Sequence, residues 1–166
     1  MSQIHGPAVR LGDDVNTDVH CSAKYRPGKD TAYIATVAFD KLEAGFAKRF
    51  PKGGVIVAGK NFGNNSSREQ AVHVLRAMGC AAIVAPNFAR QFFRNAINNG
   101  LPVVECDTAG IEQGDAVGID LAAGKVTVAS RRIARAVPAL PKEILAILSA
   151  GGLHPFLKSH PDWELA

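Results

Sequence analysis

The chain has 166 residues, 47% hydrophobic and 20% charged, with a net charge of +4. That composition suits one domain over residues 1–166 with its own core and argues against disorder, and no run of about 18 apolar residues is present to cross a membrane. The cations are scattered rather than gathered into a stripe with aromatic partners, which speaks against nucleic acid and leaves a small anionic ligand as an adequate reason for the excess.

The first third reads as loop-rich, with turn clusters at Gly12-Asp13-Asp14 and Arg26-Pro27-Gly28-Lys29-Asp30. The start, Met1 to Gly6, lacks the basic and apolar stretches of a secretory signal. A short helix is predicted over Asp40 to Phe50, with Leu42, Phe46 and Phe50 inward, ended by Pro51 and Gly53-Gly54. Val55 to Ala58 is a short apolar run, the pattern of a buried strand. After a Gly/Asn/Ser loop from Gly59 to Ser67, residues Arg68 to Met78 carry Ala71, Val74, Leu75 and Met78 on one helical face, stopped by Gly79. Ala81 to Ala85 is a second strand. Asn87 can cap a helix whose inner face is Phe88, Phe92, Phe93 and Ala96. Gly100 ends it, and Pro102-Val103-Val104 opens a third strand. This alternation predicts a parallel three-stranded βαβαβ core with right-handed crossovers.

The last third predicts short strands at Ala116–Ile119, Val126–Ala129 and Arg132–Ala136, the first two joined by a turn at Gly124-Lys125. A helix follows from Pro141 to Ser149, broken by Gly151-Gly152. The tail from His154 either frays or docks on a partner. The fold class is therefore α/β: a parallel βαβαβ core with additional short strands. The three cysteines, Cys21, Cys80 and Cys106, are far apart in sequence and form no C-x-x-C pair, which fits a reduced, cytoplasmic setting.

The chemistry concentrates in Asn61-Phe62-Gly63-Asn64-Asn65-Ser66-Ser67-Arg68-Glu69-Gln70-Ala71. Two hydroxyls and a guanidinium stand where a strand hands over to a helix. Free N–H groups and the helix dipole favour an anion there, and an arginine fork matches a carboxylate. In open α/β sheets ligands gather just beyond the carboxyl ends of strands. The same residues also read as two capping boxes, Ser66-x-x-Glu69 and Ser67-x-x-Gln70. No Gly-Lys-Ser/Thr follows, so a nucleotide phosphate loop is not supported. The five histidines show no ligand spacing, and His73 reads as a surface or packing residue.

The segment Asn-Phe-Gly-x-x-Ser-Ser-Arg-Glu-x-Ala resembles the signature of the mobile, swivelling domain of the aconitase superfamily. Ala85-Pro86-Asn87-Phe88-Ala89 through Phe92-Phe93-Arg94-Asn95 to Asn99-Gly100-Leu101-Pro102, Gly12-Asp13-Asp14-Val15-Asn16-Thr17-Asp18 and Leu145 to Leu153 resemble these proteins in order and spacing, most nearly the isopropylmalate dehydratase small subunits. The resemblance covers nearly the whole chain. It implies stereospecific dehydration and rehydration of a hydroxylated di- or tricarboxylate. It implies Ser66 as the base that takes a proton from carbon, and Ser67 and Arg68, with Lys24 and Arg26, on the substrate. Asn61, Gly63, Asn64, Asn65 and Asp18 would support that loop. No metal is expected on this chain. The resemblance places a [4Fe-4S] cluster on a large partner subunit, as Lewis acid for the leaving hydroxyl.

Three departures from the pattern bear on these expectations. Asn65 stands for the usual glycine and must accept its turn, which asparagine does better than most residues. Gln70 stands for the common histidine and cannot titrate. Arg26 follows Tyr25 where isopropylmalate enzymes commonly carry leucine. A sister dehydratase acting on homoaconitate or a methylated malate is the nearest alternative. A non-catalytic anion-binding or regulatory module is the alternative from another class.

Overall fold

The computed structural model describes residues 2–22, 27–65 and 67–162. They form a seven-stranded mixed sheet in the order β4-β3-β2-β1-β5-β6-β7. The strands are β1 Gln3–Arg10, β2 Val55–Val57, β3 Ala82–Ala85, β4 Val103–Glu105, β5 Ala116–Asp120, β6 Lys125–Val128 and β7 Ile133–Ala136. The helices are α1 Thr17–Cys21, α2 Thr31–Thr36, α3 Phe46–Arg49, α4 Gln70–Ala77, α5 Arg90–Asn98, α6 Lys142–Ser149 and α7 Leu153–Ser159.

The predicted parallel core is present but has four strands, because β1 pairs parallel to β2 with Ala8 opposite Val55. On its other side β1 pairs antiparallel to β5, with Ile4 opposite Ile119. This corrects the loop-rich reading of the first third. His5-Gly6-Pro7 breaks the apolar pattern, and the strand is fixed by its neighbours instead. Gly6 lies so close to the next chain segment that a Cβ there would stand 2.1 Å from the Gly53 carbonyl oxygen. The Ala8 N–H points to the Asp115 carbonyl at 2.8 Å. Successive N–H groups of a strand alternate sides, so the donor that Pro7 lacks would face β2, whose register with β1 begins only at Ala8.

Because β1 to β4 lie side by side in chain order, their connections advance one way across the sheet. α1 and α2 pack on α4, and α4 packs on α5. β2 and β3 are buried throughout, as strands covered on both faces must be. α4 buries Ala71, Val72, Val74 and Leu75, and its predicted stop, Gly79, has φ +96°. α5 buries Phe92, Ala96 and Ile97.

The helix predicted over Asp40 to Phe50 shrinks to α3. Gly45 takes a left-handed φ of +73° immediately before it, and Leu42 is 56% exposed rather than inward. The tail is helical from Leu153, with Phe156 buried and stacked on the His160 ring at 4.3 Å. No helix among the described residues is long and apolar enough to cross a membrane.

Candidate active site

Three loops meet beyond the carboxyl ends of β1, β2 and β3, and the loop after β2 is tied to the other two almost residue by residue. The N–H of Gly59 donates to the Gly12 carbonyl at 3.0 Å, and that of Gly63 to the Val15 carbonyl at 2.9 Å. The Lys60 N–H donates to Asp13 Oδ1 at 2.7 Å. Asn61 donates its side-chain N–H to Asp14 Oδ1 at 2.7 Å, and Asn64 donates its own to the Asp14 carbonyl at 3.2 Å. The turn cluster read from the sequence at residues 12–14 is thus the wall that receives this loop.

Asn61, Gly63 and Asn65 adopt positive φ of +59°, +82° and +54°. Asn65 therefore takes the left-handed turn that its replacement of glycine demands. At Gly63 a side chain is excluded as well, since a Cβ would lie 2.3 Å from Phe92 Cγ. Phe92 is fully buried and meets Phe62 edge-on, with ring centroids 5.2 Å apart. The loop rests on the aromatic base of α5.

Asp18 and Arg68, drawn from separate motifs, meet here. Arg68 Nη1 donates to Asp18 Oδ2 at 2.7 Å; the Asp18 side chain is 6% exposed and that of Arg68 45% exposed. Asp18 is carried by α1, whose start is capped by the Asn16 side chain accepting from Val19 N–H at 3.2 Å. A buried carboxylate thus anchors one end of the guanidinium while the rest of that side chain remains half open at the loop. Such a group can take a ligand carboxylate through its other donors. Ser67 is exposed, and its carbonyl accepts from Asn95 Nδ2 on α5 at 3.4 Å. Ser66, Lys24 and Arg26 lie outside the described residues.

Two local readings are corrected. α4 starts at Gln70, and Glu69 before it makes no side-chain cap, so Ser67 is not the cap of a Ser-x-x-Gln box. α5 starts at Arg90 after an uncapped Ala89, so Asn87 is not its cap. Asn87 accepts instead from the Asn61 N–H at 2.6 Å. Its contact, like those of Asp13, Asp14 and Asn95, escapes sequence reasoning because each joins segments distant in the chain. His73 is exposed on α4.

All three cysteines are buried. Burial pushes the Cys80 thiol up to about 12 and drives Cys21 and Cys106 upward too. Among the described residues no three His, Cys, Asp or Glu side chains gather as metal ligands. An iron–sulfur cluster needs thiolates, so these residues do not fit one.

Residues 29–108 match the model of the aconitase C-terminal domain family. The 3-isopropylmalate dehydratase small subunit of Saccharolobus islandicus is 42% identical over 157 residues, covering 93% of this chain and 94% of that one. Its counterpart in Sulfolobus acidocaldarius is 42% identical over 159 residues, covering 93% and 97%. The crystal structure of 3-isopropylmalate dehydratase from Methanocaldococcus jannaschii superposes with a TM-score of 0.86 at 38% identity, covering 96% of this chain and 95% of that one. With a family model, near full-length relatives and a shared mixed sheet in agreement, the chain belongs to the 3-isopropylmalate dehydratase small subunits, a hydro-lyase family of the aconitase type.

Proposed function

We propose that this chain works as the small subunit of a cytoplasmic 3-isopropylmalate dehydratase, interconverting 2- and 3-isopropylmalate by dehydration and rehydration in leucine biosynthesis. The observation that carries the reading is the 2.7 Å contact between Arg68 and Asp18. It joins the Ser-Ser-Arg loop to the Thr-Asp motif in a chain whose relatives bear that name over nearly their whole length. Residues 1–166 act as one swivelling domain that closes on a large partner subunit.

In this reading Ser66 removes the proton from carbon. A serine hydroxyl is a weak base, so its alkoxide needs preorganised positive charge, and Arg68 is the nearest cation in sequence. Ser67 and the open side of Arg68 hold a substrate carboxylate. Lys24 and Arg26, which follow α1 in the sequence, contribute to holding the substrate. Asp18 fixes Arg68, while Asn61, Gly63, Asn64 and Asn65 shape the turn that presents the serines. The Lewis acid for the leaving hydroxyl belongs to the large subunit as a [4Fe-4S] cluster, so this chain holds half of an active site.

The test is to reconstitute the chain with its large subunit and assay a panel of hydroxy acids. Activity on isopropylmalate is expected in the mixture and not in this chain alone. Arg26, where leucine is common, is the reason to include homoaconitate and methylated malates. Turnover confined to one of those moves the chain to a sister enzyme. A chain that binds small anions without a partner and yields no active mixture is a binding module instead.

A further inference from the structure

The loop after β2 bends through alternate positive-φ residues at Asn61, Gly63 and Asn65 before it reaches the Ser66–Arg68 segment. Asparagine and glycine accept left-handed backbone more readily than other residues but do not require it, so local preference alone does not fix this path. External acceptors do. The first bend, Asn61, is gripped from two sides. Its side chain donates to Asp14 Oδ1 at 2.7 Å, on the loop after β1. Its backbone N–H donates to Asn87 Oδ1 at 2.6 Å, on the loop after β3.

Asn87 makes the second grip with more than its side chain. Its carbonyl accepts from the Phe62 N–H at 3.3 Å, and the Ala89 N–H returns to the Phe62 carbonyl at 2.9 Å. Phe62 and Phe88 form a short parallel bridge at this point. The backbone bonds would survive any substitution at residue 87. The bond to Asn61 would not, because it alone uses the side chain.

We infer that Asn87 is a positioning residue: its side-chain oxygen fixes the left-handed turn at Asn61 and so the path of the loop from Asn61 to Asn65, which precedes Ser66-Ser67-Arg68 in the sequence. The role rests on the dehydratase reading above. It requires an acceptor and nothing else. Aspartate keeps an acceptor oxygen at the same reach, and alanine does not.

The experiment compares Asn87→Ala and Asn87→Asp. Steady-state kinetics are measured in the reconstituted enzyme, and hydrogen exchange of the Asn61 amide in the full chain. Asn87→Ala is expected to lower kcat by about tenfold or more, as small misplacements of reacting groups do. KM should stay within about threefold, and the Asn61 amide should lose protection. Asn87→Asp is expected to retain both kcat and protection. Equal losses in the two variants would overturn the inference, because the acceptor would then not be what matters. So would an Asn87→Ala enzyme that melts earlier but turns over normally. Should the wild-type complex be inactive, the functional reading fails on its own. The exchange measurement still decides the contact, and unchanged Asn61 protection in Asn87→Ala sinks it.

Discussion

Each half of the sheet holds an arginine against an aspartate, and the two pairs are built differently: Asp18 is buried and Asp115 only partly so. In the antiparallel half, Arg131 bonds both oxygens of Asp115 through Nε at 3.1 Å and reaches Glu112 through Nη2. Asp115 also accepts the Glu112 N–H at 2.8 Å. Its carboxyl is held below the ordinary range chiefly by that N–H and then by Arg131. In the parallel half, Arg68 bonds one oxygen of Asp18 through one nitrogen. The first arginine meets two carboxylates and closes a corner of the scaffold. The second meets one among the described residues, and on the proposed function its other donors would take the substrate carboxylate. If Arg68 binds the substrate as proposed, the number of anions around each arginine, more than its exposure, is what distinguishes the two.

The largest effect that bears on this contrast is expected at Ser66. In the assembled enzyme Ser66→Ala should lower kcat by about 10²–10⁴-fold, the worth of a positioned proton transfer, with little change in melting temperature. Normal turnover would remove Ser66 from the chemistry and leave it a loop residue. Gly63→Ala comes next. Its methyl would meet Phe92 in a left-handed backbone, and urea denaturation should show a destabilisation of about 1–3 kcal/mol. An unmoved midpoint would mean that the loop is not seated on α5 as described.

The remaining two predictions set the arginines against each other. Arg68→Lys keeps the charge and loses the fork. It should lower kcat/KM by about tenfold, or about 1.4 kcal/mol, through both constants. Arg131→Lys is the smallest change: kcat/KM should match wild type, since exposed pairs of this kind contribute little. Similar losses in both variants would erase the distinction between the halves.

The βαβαβ run was legible because its signals are local. Apolar runs mark β2, β3 and β4, and a helical stripe marks α4. The Ser-Ser-Arg loop was legible for the same reason, being a short motif at the end of a strand. β1 was not, because Gly6 and Pro7 look like turn residues until Gly53 and β5 are placed beside them. α3 ran long in the reading because apolar spacing carries no mark of the left-handed bend at Gly45. The cap assigned to Asn87 failed because an asparagine ahead of a helix has a near donor and a far one. Only the fold brings the Asn61 N–H within 2.6 Å.

The double role of β1 has a consequence for how the chain is made. It is parallel to β2 on one edge and antiparallel to β5 on the other, joining Ala8 to Val55 and Gln3 to Asp120. Both partners are synthesised after it, and the second emerges only when most of the polypeptide has left the ribosome. Until β5 is available, β1 has at least one edge without its native partner, and open edges are what expose folding intermediates to aggregation. Closing so distant a pairing is also slow, because the loop entropy must be overcome before the contact rewards it. Its Gly6-Pro7 step is a poor strand former in isolation, so this part of β1 depends on those later partners for its conformation.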